Sequence, residues 1–194
     1  PDLIFDVGFH RGEDTDFYLK KGFRVVAVEA NPELCAAGEQ RFAEAIKAGR
    51  LTLVNKALAK LPGEITFYVS SNSVWSTLDP LWVERNRRLG AESRPITVEA
   101  TTMGALLERY GAPYYLKLDI EGFDMVGVEG LRATEDRPAY LSLESEKDSF
   151  KALRREIQTL AELGYERFKV VPQSKVPAQA EPSPPREGAF AGHR

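Results

Sequence analysis

From residue 3 to about residue 171 this chain alternates short β-branched or aromatic runs with longer stretches of helical spacing, and that alternation is its tightest constraint on fold. The strand-like runs are Leu3–Val7, Arg24–Glu29, Leu51–Val54, Glu64–Ser70, Ile96–Thr101, Tyr114–Leu118, Ala139–Leu143 and Arg167–Val171. Helical spacing covers Glu13–Lys21 and Pro32–Ala48, the latter opened by Asn31 as N-cap and Pro32 as first residue. It returns in Phe150–Leu163, where Phe150, Leu153, Ile157, Leu160 and Leu163 share one face ahead of Gly164. Strands separated by helices need crossover connections. The expected architecture is therefore α/β, a mainly parallel sheet with helices on both faces. Glu64–Ser70 breaks the alternation, because Leu61-Pro62-Gly63 leaves no room for a helix before it. It is expected as an added antiparallel edge strand. Ser70–Asp79 is expected as a loop over a site, and Leu81–Gly90 as a short surface helix carrying Arg85, Arg87 and Arg88.

At 194 residues the chain is long enough for one domain, assigned to residues 1–171. Residues 172–194 hold five of the 12 prolines and read as an extended tail. Against 26 Lys plus Arg stand 29 Asp plus Glu, a net charge of −3, which argues against a nucleic-acid backbone as partner. Cys35 is the one cysteine and cannot form an internal disulfide. No apolar run reaches the roughly 18 residues of a membrane helix, and no signal peptide is visible. The expectation is a cytoplasmic domain without membrane insertion. The strand that begins two residues into a chain lacking an initiating Met points to a segment trimmed upstream.

Function concentrates first in Leu3-Ile4-Phe5-Asp6-Val7-Gly8-Phe9-His10-Arg11-Gly12, a buried strand running into a glycine turn before a helix. Such a turn lets a ligand approach the main chain where no Cβ intervenes, beyond the carboxyl end of the strand. The dinucleotide fingerprint fails, since His10 and Glu13 stand where its second and third glycines belong, and no phosphate-loop Gly-Lys-Ser/Thr follows. The pattern present is Asp-x-Gly-x-x-x-Gly, with a second acid, Glu29, closing the next strand 21 residues after Gly8. From there a carboxylate can accept hydrogen bonds from ribose hydroxyls. Asp6 and Glu29 suit a ligand bearing an ammonium and a sulfonium better than one bearing a pyrophosphate. S-adenosylmethionine meets that description. A short-chain reductase would want Tyr-x-x-x-Lys on a helix, and Tyr165–Lys169 has the letters but reads as strand.

A second concentration is Lys117-Leu118-Asp119-Ile120-Glu121-Gly122, acids at the end of another apolar strand, with Lys117 and Asp119 on one face. Buried charge is costly unless paired or used. With Asp6-Val7-Gly8 through Gly12 to Thr15, Val28-Glu29-Ala30-Asn31-Pro32, the serine-bearing Ser70–Leu78 and Tyr140–Glu144, the chain resembles the FkbM-type methyltransferases. Departures are His10, where many relatives carry Asn, and Phe9 in place of a small residue. The resemblance implies a class I Rossmann-like fold using S-adenosylmethionine, usually to O-methylate sugars, polyketides or related hydroxyl compounds. The expected cofactor residues are Asp6, Gly8, Phe9, His10, Gly12, Thr15, Glu29, Ala30, Asn31, Asn55, Lys56, Ala57 and Asp119. Asp119 is the first candidate beside the methyl group, as base or as holder of the methionine amine. Glu121 and His10 follow, each with a positioning role as the alternative. The expected partner is a small-molecule or glycan hydroxyl acceptor. Asp119 and Glu144 could instead hold magnesium, although no spacing demands a metal. A non-catalytic module retaining the fold is the competing function.

Overall fold

The structure is a computed structural model that describes residues 2–145 and 149–171. Its elements in chain order are β1 (Leu3–Val7), α1 (Glu13–Lys20), β2 (Arg24–Val28), α2 (Pro32–Arg41), α3 (Ala43–Lys47), β3 (Leu51–Val54), β4 (Ala57–Leu58) and β5 (Gly63–Ser70). There follow α4 (Pro80–Arg88), β6 (Ser93–Thr101), α5 (Met103–Tyr110), β7 (Tyr115–Leu118), α6 (Asp124–Gly130), β8 (Tyr140–Ser142) and α7 (Phe150–Glu162). A single 3-10 turn, Ser73–Trp75, lies between β5 and α4. The proline-rich 172–194 tail lies outside the described residues.

Five strands form one sheet in the order β3-β2-β1-β7-β8, every pairing parallel. From β1 the chain winds outward to β2 and β3, then returns to lay β7 on the opposite side of β1. The β1/β7 boundary is therefore the switch point where α/β sheets bind ligands. The strands are buried on both faces because their alternate residues feed two separate cores. Phe5, Val7, Val26, Val28, Leu116 and Leu118 pack with Met103, Leu106 and Val128 from α5 and α6 and Leu160 from α7. Ile4, Val25 and Ala27 face the other way, onto Tyr18 and Leu19 of α1, Phe42, and Ala45 of α3. This two-sided burial makes the parallel sheet read as near-continuous apolar runs.

The antiparallel strand expected at the sheet edge exists, but elsewhere. β5 pairs antiparallel with β6 along its whole length, and β6 pairs in turn with β4, giving a second, three-stranded sheet. This sheet has its own small core of Ala57, Ala59, Phe67, Val98 and Ala100. Ala57 belongs to that core and its neighbour Leu58 to the core under β7, so β4 joins the two sheets.

Three further expectations change. The helix expected over Pro32–Ala48 is broken at Phe42, whose backbone leaves helical values (φ −109°, ψ 20°) as its ring packs edge-on to Phe9. Arg167–Val171 belongs to no strand, and Val170 is almost fully exposed, because the β propensity of these residues meets no paired edge. On α7 the expected apolar face is buried only toward its end: Leu160 and Leu163 are buried, while Phe150 stands open to solvent. Among the described residues no helix is long and apolar enough to cross a membrane.

Leu116 sits in the middle of this arrangement with no solvent exposure. Leu116→Ala should lower stability by about 2–5 kcal/mol through lost transfer energy plus a cavity, read as a lower urea midpoint at unchanged m-value.

Candidate active site

The first strand ends where the main chain of β7 leaves no room for a side chain. Gly8 adopts φ +93°, and a Cβ there would lie 2.0 Å from the Asp119 carbonyl oxygen. Its N–H donates to Val28 O at 3.0 Å, and Asp119 N–H donates to Val7 O at 3.0 Å. The ends of β1, β2 and β7 are thus gathered at one point. Around it opens a cleft of about 940 Å³ counting its mouth, lined from the parallel sheet by Gly8, Phe9, His10, Glu29, Ala30, Lys117, Asp119 and Glu121. The second sheet and the segment after β5 supply Lys56, Ala57, Phe67, Ser73, Val74 and Ser76.

Glu29 is the clamp of the cleft floor. Its carboxylate accepts from His10 N–H at 2.7 Å and from Asn31 N–H at 2.8 Å, which ties the turn after β1 to the turn after β2. Burial pushes its carboxyl from an ordinary 4.5 up to about 7, against the lowering effect of those two N–H groups. His10 holds φ +52°, a left-handed conformation uncommon outside glycine, though histidine, asparagine and aspartate adopt it more readily than other side chains.

Several expected cofactor residues stand behind the cleft wall instead of lining it. Asp6 is fully buried on the opposite side of its strand, accepting from Thr15 Oγ1 at 2.6 Å. Asn31 caps α2 through Glu33 N–H, and Asn55 donates to the Glu29 carbonyl at 2.8 Å. Gly12 fits under the Phe9 and Phe42 rings. These residues hold the turns in place. Gly8, Phe9, His10, Glu29, Ala30, Lys56, Ala57 and Asp119 face the cleft, and so does Glu121. Phe67, Leu34, Glu13 and Asp14 also line it and were not anticipated; only the two acids that open the helix after Gly8 carried any sequence signal.

Lys117 lies opposite Asp6 in the β1/β7 register. Its ammonium is 3.3 Å from Asp6 Oδ1, 3.2 Å from Asp14 Oδ2 and 3.4 Å from Asp119 Oδ2, and it donates to the Gly8 carbonyl at 3.4 Å. Burial works against the charge, but the three carboxylates outweigh it and raise the lysine above its ordinary range.

Beyond Asp119 the loops after β7 and β8 meet. Asp124 accepts from Ile120 N–H at 2.8 Å and Glu144 N–H at 3.3 Å, joining the two loops. Carboxylate oxygens of Asp119, Glu121 and Glu144 come within 4.8 Å of one another, a spacing that a divalent cation would also accept. Burial first, then Asp119, Glu144 and Asp124, push the Glu121 carboxyl to about 7. Burial likewise lifts Asp124 to about 6.

Two outcomes test this electrostatic arrangement. Lys117→Met leaves Asp6 buried without its counter-charge, and should cost about 3–5 kcal/mol in denaturant unfolding, with part recovered in the Asp6→Asn, Lys117→Met double variant. Glu29, Glu121 and Asp124 all hold protons in the folded chain that the unfolded chain has released, so stability should fall as pH rises from about 4.5 through about 7. Unfolding midpoints at pH 5 and pH 8 check the sign, and Glu29→Gln should flatten part of the slope.

The comparisons with known proteins agree with this geometry. The model of the methyltransferase FkbM domain matches residues 6–167, which span both sheets and the cleft. Among solved structures, the chain is similar to the crystal structure of a methyltransferase FkbM from Methylobacillus flagellatus KT, at 16% identity and a TM-score of 0.55. The match covers 82% of this chain but 37% of that one, so it bears on the fold alone and the chain spans little over a third of that protein's length. No curated protein sequence matches the chain. With its glycine turn, its two acid-ended strands and 6–167 under one family model, the chain belongs to the FkbM methyltransferase family.

Proposed function

We propose that the chain is an S-adenosylmethionine-dependent methyltransferase that O-methylates a hydroxyl of a sugar, glycan, polyketide or related small molecule. One observation carries the reading: Gly8, Glu29 and Asp119, each at the carboxyl end of a different parallel strand, open onto one cleft whose charged lining is mostly carboxylate. The donor set fits a cationic ligand. Glu13, Asp14, Glu29, Asp119 and Glu121 face the cleft, and its two lysines, Lys56 and Lys117, are already ion-paired. A pyrophosphate would meet repulsion here, whereas a sulfonium and an ammonium would not.

When bound, the cofactor supplies an electrophilic methyl group on sulfur. Glu29 retains lone pairs beyond its two backbone donors and is placed to accept from a ribose diol. Gly8 leaves main chain bare for close approach, and Leu34, Leu58 and Phe67 offer an apolar wall to a purine ring. Asp119, held by Lys117, is the residue to bind the ammonium. In-line displacement draws much of its rate from alignment, which the clamped turns provide. The acceptor hydroxyl loses its proton as its oxygen gains the methyl group, and Glu121, with a pKa near neutrality, suits that proton.

Calorimetry with S-adenosylhomocysteine should show binding, and Glu29→Ala should weaken it by about 1–3 kcal/mol through lost hydrogen bonds to charge. NADH binding in its place would overturn the reading. Transfer of a labelled methyl group to a panel of neutral hydroxyl compounds tests the O-methylation itself.

A further inference from the structure

The segment from Ser71 to Asp79 forms one side of the cleft mouth, with Ser73, Val74 and Ser76 facing the cleft. Its fastenings are unequal. Toward the second sheet it is secured repeatedly: Ser71 N–H donates to Glu92 O at 2.7 Å, Thr77 pairs with Tyr68 in an isolated bridge, and Ser76 Oγ accepts from Ser70 N–H. Toward α4, Asn86 Nδ2 donates to Trp75 O at 3.1 Å. Toward the β7 loop, the buried Thr77 hydroxyl donates to the Glu121 carbonyl at 2.9 Å. Toward the turn after β1, one hydrogen bond reaches across among the described residues: His10 Nε2 and Ser73 Oγ lie 2.9 Å apart.

His10 is shaped for that reach at a conformational cost. A non-glycine residue at φ +52° is held against its preference by its own N–H bond to Glu29 and by the side-chain contact with Ser73. One ring nitrogen, Nε2, faces the serine, and the other, Nδ1, lies 3.7 Å from Glu13 Oε2. The residue thus joins the cleft floor, through its backbone, to the cleft rim, through its ring.

We propose that His10 is a positioning residue that fastens the Ser71–Asp79 strap across the ligand cleft, so that its contact with Ser73 governs how fast the bound cofactor product leaves. The role of the ligand rests on the methyl-donor reading above; the fastening itself does not. Opening the mouth on this side breaks one hydrogen bond, while the bonds to Tyr68, Glu92 and Asn86 keep the strap attached to the second sheet and α4.

The test is a double-mutant cycle with His10→Asn and Ser73→Ala. Asparagine tolerates the left-handed backbone and keeps the N–H bond to Glu29, but is too short to replace the ring at Ser73. Each single variant should release S-adenosylhomocysteine about three- to tenfold faster in stopped-flow displacement, the worth of one neutral hydrogen bond, and the double variant no faster than either. Hydrogen exchange of residues 71–76 in the ligand-free chain should accelerate in the same non-additive way. Additive effects in the cycle overturn the proposal. So does a His10→Asn variant that loses methyl transfer while release and exchange stay unchanged, the signature of an imidazole acting as base. Absence of S-adenosylhomocysteine binding by the unaltered chain would overturn the donor reading, and the exchange cycle would then decide the fastening alone.

Discussion

The Lys117 ammonium is the interaction on which the rest of this structure depends. Asp6 has no solvent exposure, and burial raises its carboxyl above the ordinary range while Lys117, directly opposite in the β1/β7 register, and the Thr15 hydroxyl pull it back down. The same ammonium reaches Asp14 on α1 and Asp119 at the end of β7, so one charge holds two strands and a helix in fixed relation. Replacing such a cluster with apolar side chains need not cost stability, which makes position the thing it confers. What it positions is the cleft floor: the Gly8 carbonyl, Asp119, and through them the main-chain crossing that only a glycine allows.

The central sheet was readable because its strands are buried on both faces and so announce themselves as unbroken apolar runs. β1, β2, β3 and β7 lie within a residue of where the pattern puts them. Helices α5 and α6 carried no comparable signal. Each is only about two turns long, and α6 contains Gly127 and Gly130, whose missing side chains accommodate Leu118 and Met103. Packing thus selected residues that conceal a helix from propensity. The second sheet was half readable. Proline and glycine at positions 62 and 63 show that β5 cannot follow a crossover helix, but only tertiary structure shows that its partner is β6 and not the parallel sheet's edge.

At the site, sequence motifs located the right turns but not the direction of every side chain. Asp6 and Gly8 are two residues apart in one motif, yet Asp6 points into the helix layer while the turn at Gly8 faces the cleft. Asn31 and Asn55 likewise spend their amides on caps and carbonyls. The apolar wall was invisible for a simpler reason: Leu34 and Phe67 come from a helix and a strand whose patterns mark them as ordinary core.

The two-residue strand β4 places Ala57 in one hydrophobic core and Leu58 in the other. Because the smaller core is filled largely by β5 and β6 themselves, that hairpin and the strap it carries form a separable cassette. Exchanging it would redraw one wall of the cleft without disturbing the packing of the parallel sheet. Because Phe67 of β5 lines the cleft beside Leu34 and Leu58, such an exchange would reach the apolar wall as well as the mouth.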